Sequence, residues 1–242
     1  MDTTDDRENF LNWIQDLEQA AIPVENPAGL MRWLLHKSYL KAFEAVGVPI
    51  VPSTFLSKDE HADQVLKPFI ENEEPIVLKP CISASGKGLF YIRDKKDFME
   101  QRDAIESAFK QNDYILQPFL PDIKTAGEWS LIYIDGEYSH AVHKLPGQSS
   151  ILVQSEYGGT ARAKEPPEDI VSFGGRVIQS LPEAFFKAVG QTLQTLLYVR
   201  VDIIPTQSGC FLAECEGVEP QLYFRQKPGS DMKFAEALLA RA

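Results

Sequence analysis

Apolar positions in the first fifty residues recur with a helical period. Phe10, Trp13, Ile14, Leu17 and Ala21 predict an amphipathic helix over 8–21, with Trp13 on its core-facing stripe. Asn26-Pro27 has the form of an N-cap followed by proline at the first helical position. From there one apolar face, Leu30, Trp33, Leu34, Tyr39, Leu40, Phe43 and Val46, runs on until Gly47 and Pro49 stop it. Ser57 and Glu60 have the spacing of a capping box, which predicts a helix ending before Pro68.

The period then changes. Pro75 to Lys79 and Leu89 to Ile92 read as strands on either side of a Ser/Gly loop, Ser83 to Gly88. A polar helix covers about 95–110, and Tyr114 to Phe119 reads as a strand ending at Pro118. Glu128 to Ile134 and Glu137 to His143 form a hairpin through Asp135-Gly136, a pair suited to the positive φ angles of a type I′ turn. A loop rich in Gly, Ser, Glu and Pro extends from Leu145 to about Pro167. Helical segments follow over 168–195, with breaks expected near Gly174-Gly175 and at Pro182. Leu197 to Ile204 and Cys210 to Glu216 read as antiparallel partners, and Ser230 as the cap of a last helix carrying Phe234, Leu238 and Leu239. No internal repeat or low-complexity linker interrupts this mixed α and β pattern.

Composition narrows the class. The chain has 242 residues, 44% hydrophobic, enough for a sizeable core and too apolar for general disorder. A formal charge of −11 argues against a nucleic-acid or anionic-membrane binder, though not against a local pocket for a phosphate anion. The three cysteines, Cys81, Cys210 and Cys215, form no CxxC pair and suit reduced thiols in a cytoplasmic enzyme. The acidic N-terminus lacks a signal-peptide pattern, and no apolar run approaches the roughly 20 residues of a membrane helix.

Charge placement supplies the candidate chemistry. Strand residues two apart share a face, so the last hairpin sets Arg200, Asp202, Glu214 and Glu216 on one surface. Read alone, that surface is more simply a solvated set of cross-strand charge pairs. Three carboxylates nevertheless exceed one arginine, and oxygen-rich clusters suit Mg²⁺. Lys79 ends an apolar strand, where a lysine calls for an anion. The Ser83–Gly88 loop has backbone N–H groups to lay over such an anion, although it lacks the P-loop pattern and is otherwise an ordinary turn.

Five segments in order resemble the ATP-grasp family of carboxylate–amine ligases, in its glutathione-synthetase-like bacterial branch. They are His36 to Lys41 with Gly47 to Pro49, Val77 to Pro80 with its loop, Ile115 to Leu120, Gly127 to Leu131, and Arg200 to Asp202 with Glu214 to Glu216. The resemblance implies an α+β fold, two lobes whose antiparallel sheets sandwich the nucleotide. It divides the chain into a helical remnant of a front domain (1–30), an N-terminal lobe (31–118) and a C-terminal lobe (119–242). It implies ATP and two Mg²⁺ ions, with Lys37 and Lys79 on the α- and β-phosphates and Ser85, Gly86 and Gly88 in a lid. Gln117, Pro118, Phe119 and Leu120 would form the hinge that reads adenine, and Glu128 would hold the ribose. Asp202, Glu214 and Glu216 would bind the metal, while Arg200 and Lys144 would stabilise the transferring phosphoryl group. The implied reaction joins a small-molecule carboxylate to an amine-type nucleophile through an acyl phosphate.

Two departures qualify the resemblance. Many family members carry Asn where this chain has Glu216, and an additional N-terminal α/β domain usually precedes the region matched here. The second departure keeps open a non-catalytic nucleotide-binding subunit, and either a homo-oligomer or a partner that supplies the missing domain; kinase-like phosphoryl transfer on the same scaffold is a separate alternative. Among the remaining candidates, His140 and His143 are three apart in a strand and face opposite ways, against a metal pair. Cys210 and Cys215 read as packed thiols, Trp33 and Trp129 as core, and Gly158-Gly159 with Arg162 as either a turn or a substrate clamp. Arg225 and Lys227 are equally a surface pair or contacts for a substrate carboxylate.

Overall fold

A computed structural model describes residues 7–84, 86–148, 150–153 and 157–241. Ser85, expected in the lid, lies outside the described residues. The chain opens with helices α1 (Arg7–Gln19), α2 (Ala28–Leu35) and α3 (Tyr39–Ala45). It continues through β1 (Thr54–Leu56), α4 (Ala62–Glu71), β2 (Ile76–Pro80), β3 (Phe90–Ile92), α5 (Lys95–Phe109) and β4 (Tyr114–Pro118). A 3₁₀ turn, Pro121–Lys124, leads into β5 (Glu128–Ile134), β6 (Glu137–Leu145), β7 (Thr160–Ala163) and α6 (Glu168–Val189). The chain ends with β8 (Tyr198–Thr206), β9 (Gly209–Glu216), a 3₁₀ turn at Phe224–Gln226 and α7 (Ser230–Leu239). No described helix is long and apolar enough to cross a membrane.

Residues 51–120 form one compact unit, and 7–50 with 121–241 form the other. In the smaller unit four antiparallel strands take the order β1-β4-β2-β3. Strand alternation sends Ile76, Leu78, Leu116 and Ile92 into a core shared with Leu66 of α4 and Phe98, Ile105 and Phe109 of α5. In the larger unit five antiparallel strands take the order β7-β6-β5-β8-β9. Gly174 lets α6 approach β5 closely, since a Cβ there would stand 2.5 Å from the Tyr133 hydroxyl and 2.6 Å from Leu131.

Several expectations change for physical reasons. Trp13 is 51% exposed, and Ile14 is the residue that α1 buries, against Ala28 and Met31. Asn26 does not cap α2. Its amide donates to the Tyr198 and Gly217 carbonyls at 2.8 and 2.9 Å and accepts the Leu197 N–H at 2.8 Å, so a tertiary use replaces the local one. The single apolar face from Leu30 to Val46 is split between α2 and α3, with extended backbone at His36. Helix α4 starts after Glu60, its Ala62 N–H taken by Glu106 of α5, and it passes through Pro68. Helix α6 runs unbroken through Gly174, Gly175 and Pro182, then stops at left-handed Gly190. Ser230 is the first residue of α7 and Gly229 takes the cap position. The short edge strands β1 and β7 carry no sequence signal. At the β5–β6 turn, φ is +55° at Asp135 and +74° at Gly136, as a type I′ turn requires.

Candidate functional site

One face of the larger sheet collects the charged residues. Pairing places Lys144 opposite Glu128, Ser130 opposite Asp202, Asp202 opposite Glu214, and Arg200 opposite Glu216. Two adjacent cross-strand rows therefore carry Ser130–Asp202–Glu214 and His140–Ile132–Arg200–Glu216. Lys37, between α2 and α3, reaches the same face with its Nζ 3.9 Å from Glu214.

Asp202 is the hub. Arg200 donates to Oδ1 from Nε at 3.0 Å and to Oδ2 from Nη2 at 2.8 Å, while Lys144 Nζ stands 3.5 Å from Oδ1. Ser130 also donates its hydroxyl to Oδ1. Lys144 bonds Glu128, and Arg200 bonds Glu216. Lys144, Arg200 and Asp202 are buried, so each charge depends on these partners. Burial works to raise the Asp202 carboxyl, but the Arg200 and Lys144 charges overcome it and hold the group at about 2. Glu216 goes the other way: burial and the neighbouring Asp202 and Glu214 push it to about 8 despite Arg200. Carboxylate oxygens of Asp202, Glu214 and Glu216 lie within 4.8 Å of one another. Such a hard-oxygen donor set fits a divalent cation of the Mg²⁺ or Ca²⁺ type.

The smaller unit has its own candidate face. Lys79 and Val77 of β2 point away from the helices, Val77 opposite both Tyr91 and Gln117. Lys79 is half-buried and has no hydrogen-bond or ion-pair partner among the described residues. Gln117 is buried and donates to Ser53 at 2.9 Å. Phe119 packs tilted against Tyr91, ring centres 4.8 Å apart, and its N–H donates to the Pro75 carbonyl at 2.8 Å. Pro118 and Leu120 are half-buried beside it. Gly86 and Gly88 both have positive φ, and Gly88 packs so tightly that a Cβ would meet Pro80 at 2.9 Å.

The roles of three residues of the larger face escaped sequence reasoning. Ser130 carried no signal beyond its strand position. Tyr223 sits in the left-handed region at φ +53°, and its hydroxyl lies in the field of Lys144, Arg200, Asp202 and Glu128. His140 holds that segment down: its Nε2 donates to the Leu222 carbonyl at 3.0 Å, and Nδ1 accepts from the Ser139 hydroxyl. His143 points the other way, donating to the Ala126 carbonyl at 2.7 Å and stacking on the buried Trp129.

Burial lowers the His140 pKa, and nearby Lys227 adds to that. A folded value below the ordinary 6.5 means the unfolded chain takes up this proton first as pH falls. The contribution is full above the unfolded value and disappears as pH drops through the folded one. Thermal melts from about pH 7.5 to about pH 5 should therefore show a steeper loss for wild type than for His140→Gln, whose amide still donates. Equal slopes would remove this role from His140.

The family described as prokaryotic glutathione synthetase, ATP-grasp domain, matches residues 37–206. The cycloserine biosynthesis protein DcsG of Streptomyces lavendulae is 26% identical over 223 residues, 89% of this chain and 72% of its own length. Glutathione synthetase of Rhodopseudomonas palustris is 26% identical over 153 residues, 63% of this chain and 46% of its own. The chain thus spans about half the length of that relative. The crystal structure of D-cycloserine synthetase DcsG superposes with a TM-score of 0.83 at 24% identity, covering 99% of this chain and 80% of that one. The fold is the ATP-grasp fold.

Proposed function

Because the chain belongs to the prokaryotic glutathione synthetase ATP-grasp domain family, we propose that it joins a carboxylate to an amine-type nucleophile with ATP. A substrate carboxylate oxygen attacks the γ-phosphorus as the bond to ADP breaks. The amine nitrogen then attacks the acyl carbon, phosphate leaves, and the nitrogen loses a proton. No covalent nucleophile from the protein is needed, in keeping with a face built from lysine, arginine and carboxylates. The observation that carries this reading is the buried Lys144–Asp202–Arg200 network flanked by Glu214 and Glu216.

Asp202, Glu214 and Glu216 are assigned to Mg²⁺. Bound there, it would neutralise phosphoryl oxygens and help orient them. Lys144 and Arg200 are assigned to the transferring phosphoryl group, Lys37 to the phosphates and Glu128 to the ribose. In the smaller unit Lys79 is assigned to the phosphates, the segment with Gly86 and Gly88 to the lid, and Gln117 to Leu120 to the adenine. Lys79, half-buried and with no ion-pair partner among the described residues, supports its part, since a cation so placed favours an arriving anion.

Calorimetry tests the reading. ATP should bind in the presence of Mg²⁺, with affinity at least about tenfold weaker in Lys79→Ala. No ATP binding by wild type would sink the ligase assignment. Where ATP binds, release of ADP and phosphate across a panel of amino acids and small carboxylates identifies a ligase. Binding with no turnover points to a nucleotide-binding subunit, and phosphate retained on the product to a kinase.

A further inference from the structure

Ser130 occupies the middle of β5, the central strand of the larger sheet, and is fully buried. A buried hydroxyl there is unfavourable without a partner, and an aliphatic residue would fill the position more simply. Its side chain stands between those of Glu128 and Ile132 and directly across from Asp202, within the reach of a single hydroxyl. Among the described residues its one side-chain hydrogen bond goes to Asp202 Oδ1.

The acceptor sites on Asp202 show what that bond does. Oδ1 takes donors from three residues: the Ser130 hydroxyl, Arg200 Nε at 3.0 Å and Lys144 Nζ at 3.5 Å. Among the described residues Oδ2 takes only Arg200, from Nη2 at 2.8 Å and Nε at 3.2 Å. An ionised carboxylate has about four lone-pair directions, so the less committed oxygen is Oδ2. Arg200 alone would leave the carboxylate free to rock about the axis of its fork. The Ser130 hydroxyl, arriving from the neighbouring strand, fixes that rotation.

We propose that Ser130 is a positioning residue that locks the Asp202 carboxylate through Oδ1 and so presents Oδ2, with Glu214 and Glu216, to a divalent cation. This rests on the assignment of the acidic trio to metal. Groups that orient a ligand from behind typically change metal affinity about 10–100-fold when removed. The hydroxyl is the working part, not the volume of the side chain.

Mn²⁺ alone, titrated into the full chain and followed by electron paramagnetic resonance, separates the possibilities. Asp202→Asn should lose most of the affinity, Ser130→Ala should weaken it at least about tenfold, and Ser130→Thr, which keeps the hydroxyl, should bind close to wild type. Wild-type affinity in Ser130→Ala, beside a loss in Asp202→Asn, would overturn the proposal. So would an equal loss in the Ala and Thr variants, because shape would then be the cause. Should Ser130→Ala fail to fold, Ser130→Cys keeps the unbranched shape, slightly enlarged, with a weaker donor, and wild-type binding there would also refute the idea. Unchanged binding in Asp202→Asn, or none in wild type, removes the metal assignment itself and this proposal with it.

Discussion

Asp202→Asn is expected to reduce ADP formation by at least about a hundredfold while the protein stays folded. The amide keeps the shape of the carboxylate and one acceptor oxygen, but loses the charge assigned to metal. The fold survives because neither cation beside it is left without a counter-ion. Lys144 keeps Glu128, and Arg200 keeps Glu216, whose ionisation is favoured once the Asp202 charge is gone. Far-UV circular dichroism and a thermal melt, run beside the turnover assay, distinguish loss of chemistry from loss of structure. A variant that retains wild-type turnover would falsify the role given to Asp202. One that unfolds would show that the hub is structural first.

Arg200→Met is expected to have the larger effect on stability. The substitution keeps much of the apolar stem and removes the guanidinium that bridges Asp202 and Glu216. Asp202 still has Lys144, but Glu216 loses the cation that favours its ionisation. Breaking one side of a buried ion pair costs about 3 kcal/mol, or roughly 6–12 °C in Tm for a chain of this size. The same loss frees acidic oxygens. Added Mg²⁺ should therefore raise the Tm of Arg200→Met more than that of wild type, where the guanidinium competes for those oxygens. An equal Mg²⁺ response in both proteins would argue against a shared set of carboxylates.

Glu216 illustrates how sequence and structure divide the explanation. On sequence grounds Glu216 departs from the Asn of many family members and belongs to a set of three carboxylates that exceeds one arginine. In the folded chain it is opposite Arg200 in the strand register and bonded to it, so part of that charge is already answered. The carboxylate face itself was legible because strand alternation is a local rule: spacing two along β8 and β9 put Arg200, Asp202, Glu214 and Glu216 on one side. The Asp135-Gly136 turn was legible for the same reason, since its positive φ values belong to those two residue types.

Ser130, His140 and Tyr223 were not legible, because what matters about them is a partner elsewhere in the chain. Ser130 finds Asp202 72 residues away, and His140 finds Leu222 82 residues away. Asn26 was misassigned by the same route. Its side chain can cap the next helix or bond strand ends 171 residues on, and only packing selects between them. Gly174 read as a helix break when its purpose is to let α6 lie against β5.

By itself, the sequence determined the order of elements apart from the edge strands β1 and β7 and the division of α2 from α3, together with the two antiparallel hairpins, the acidic face of the second, and the family to which the motifs belong. These follow from local periodicity and turn chemistry, which act within a few residues. Tertiary structure decided which strands neighbour one another, and so which charges answer which. It placed Lys144 between Glu128 and Asp202, set Ser130 behind the carboxylate, and exposed Trp13 while burying Ile14. Those outcomes depend on burial and cross-strand register. Neither is a property of any short stretch of chain.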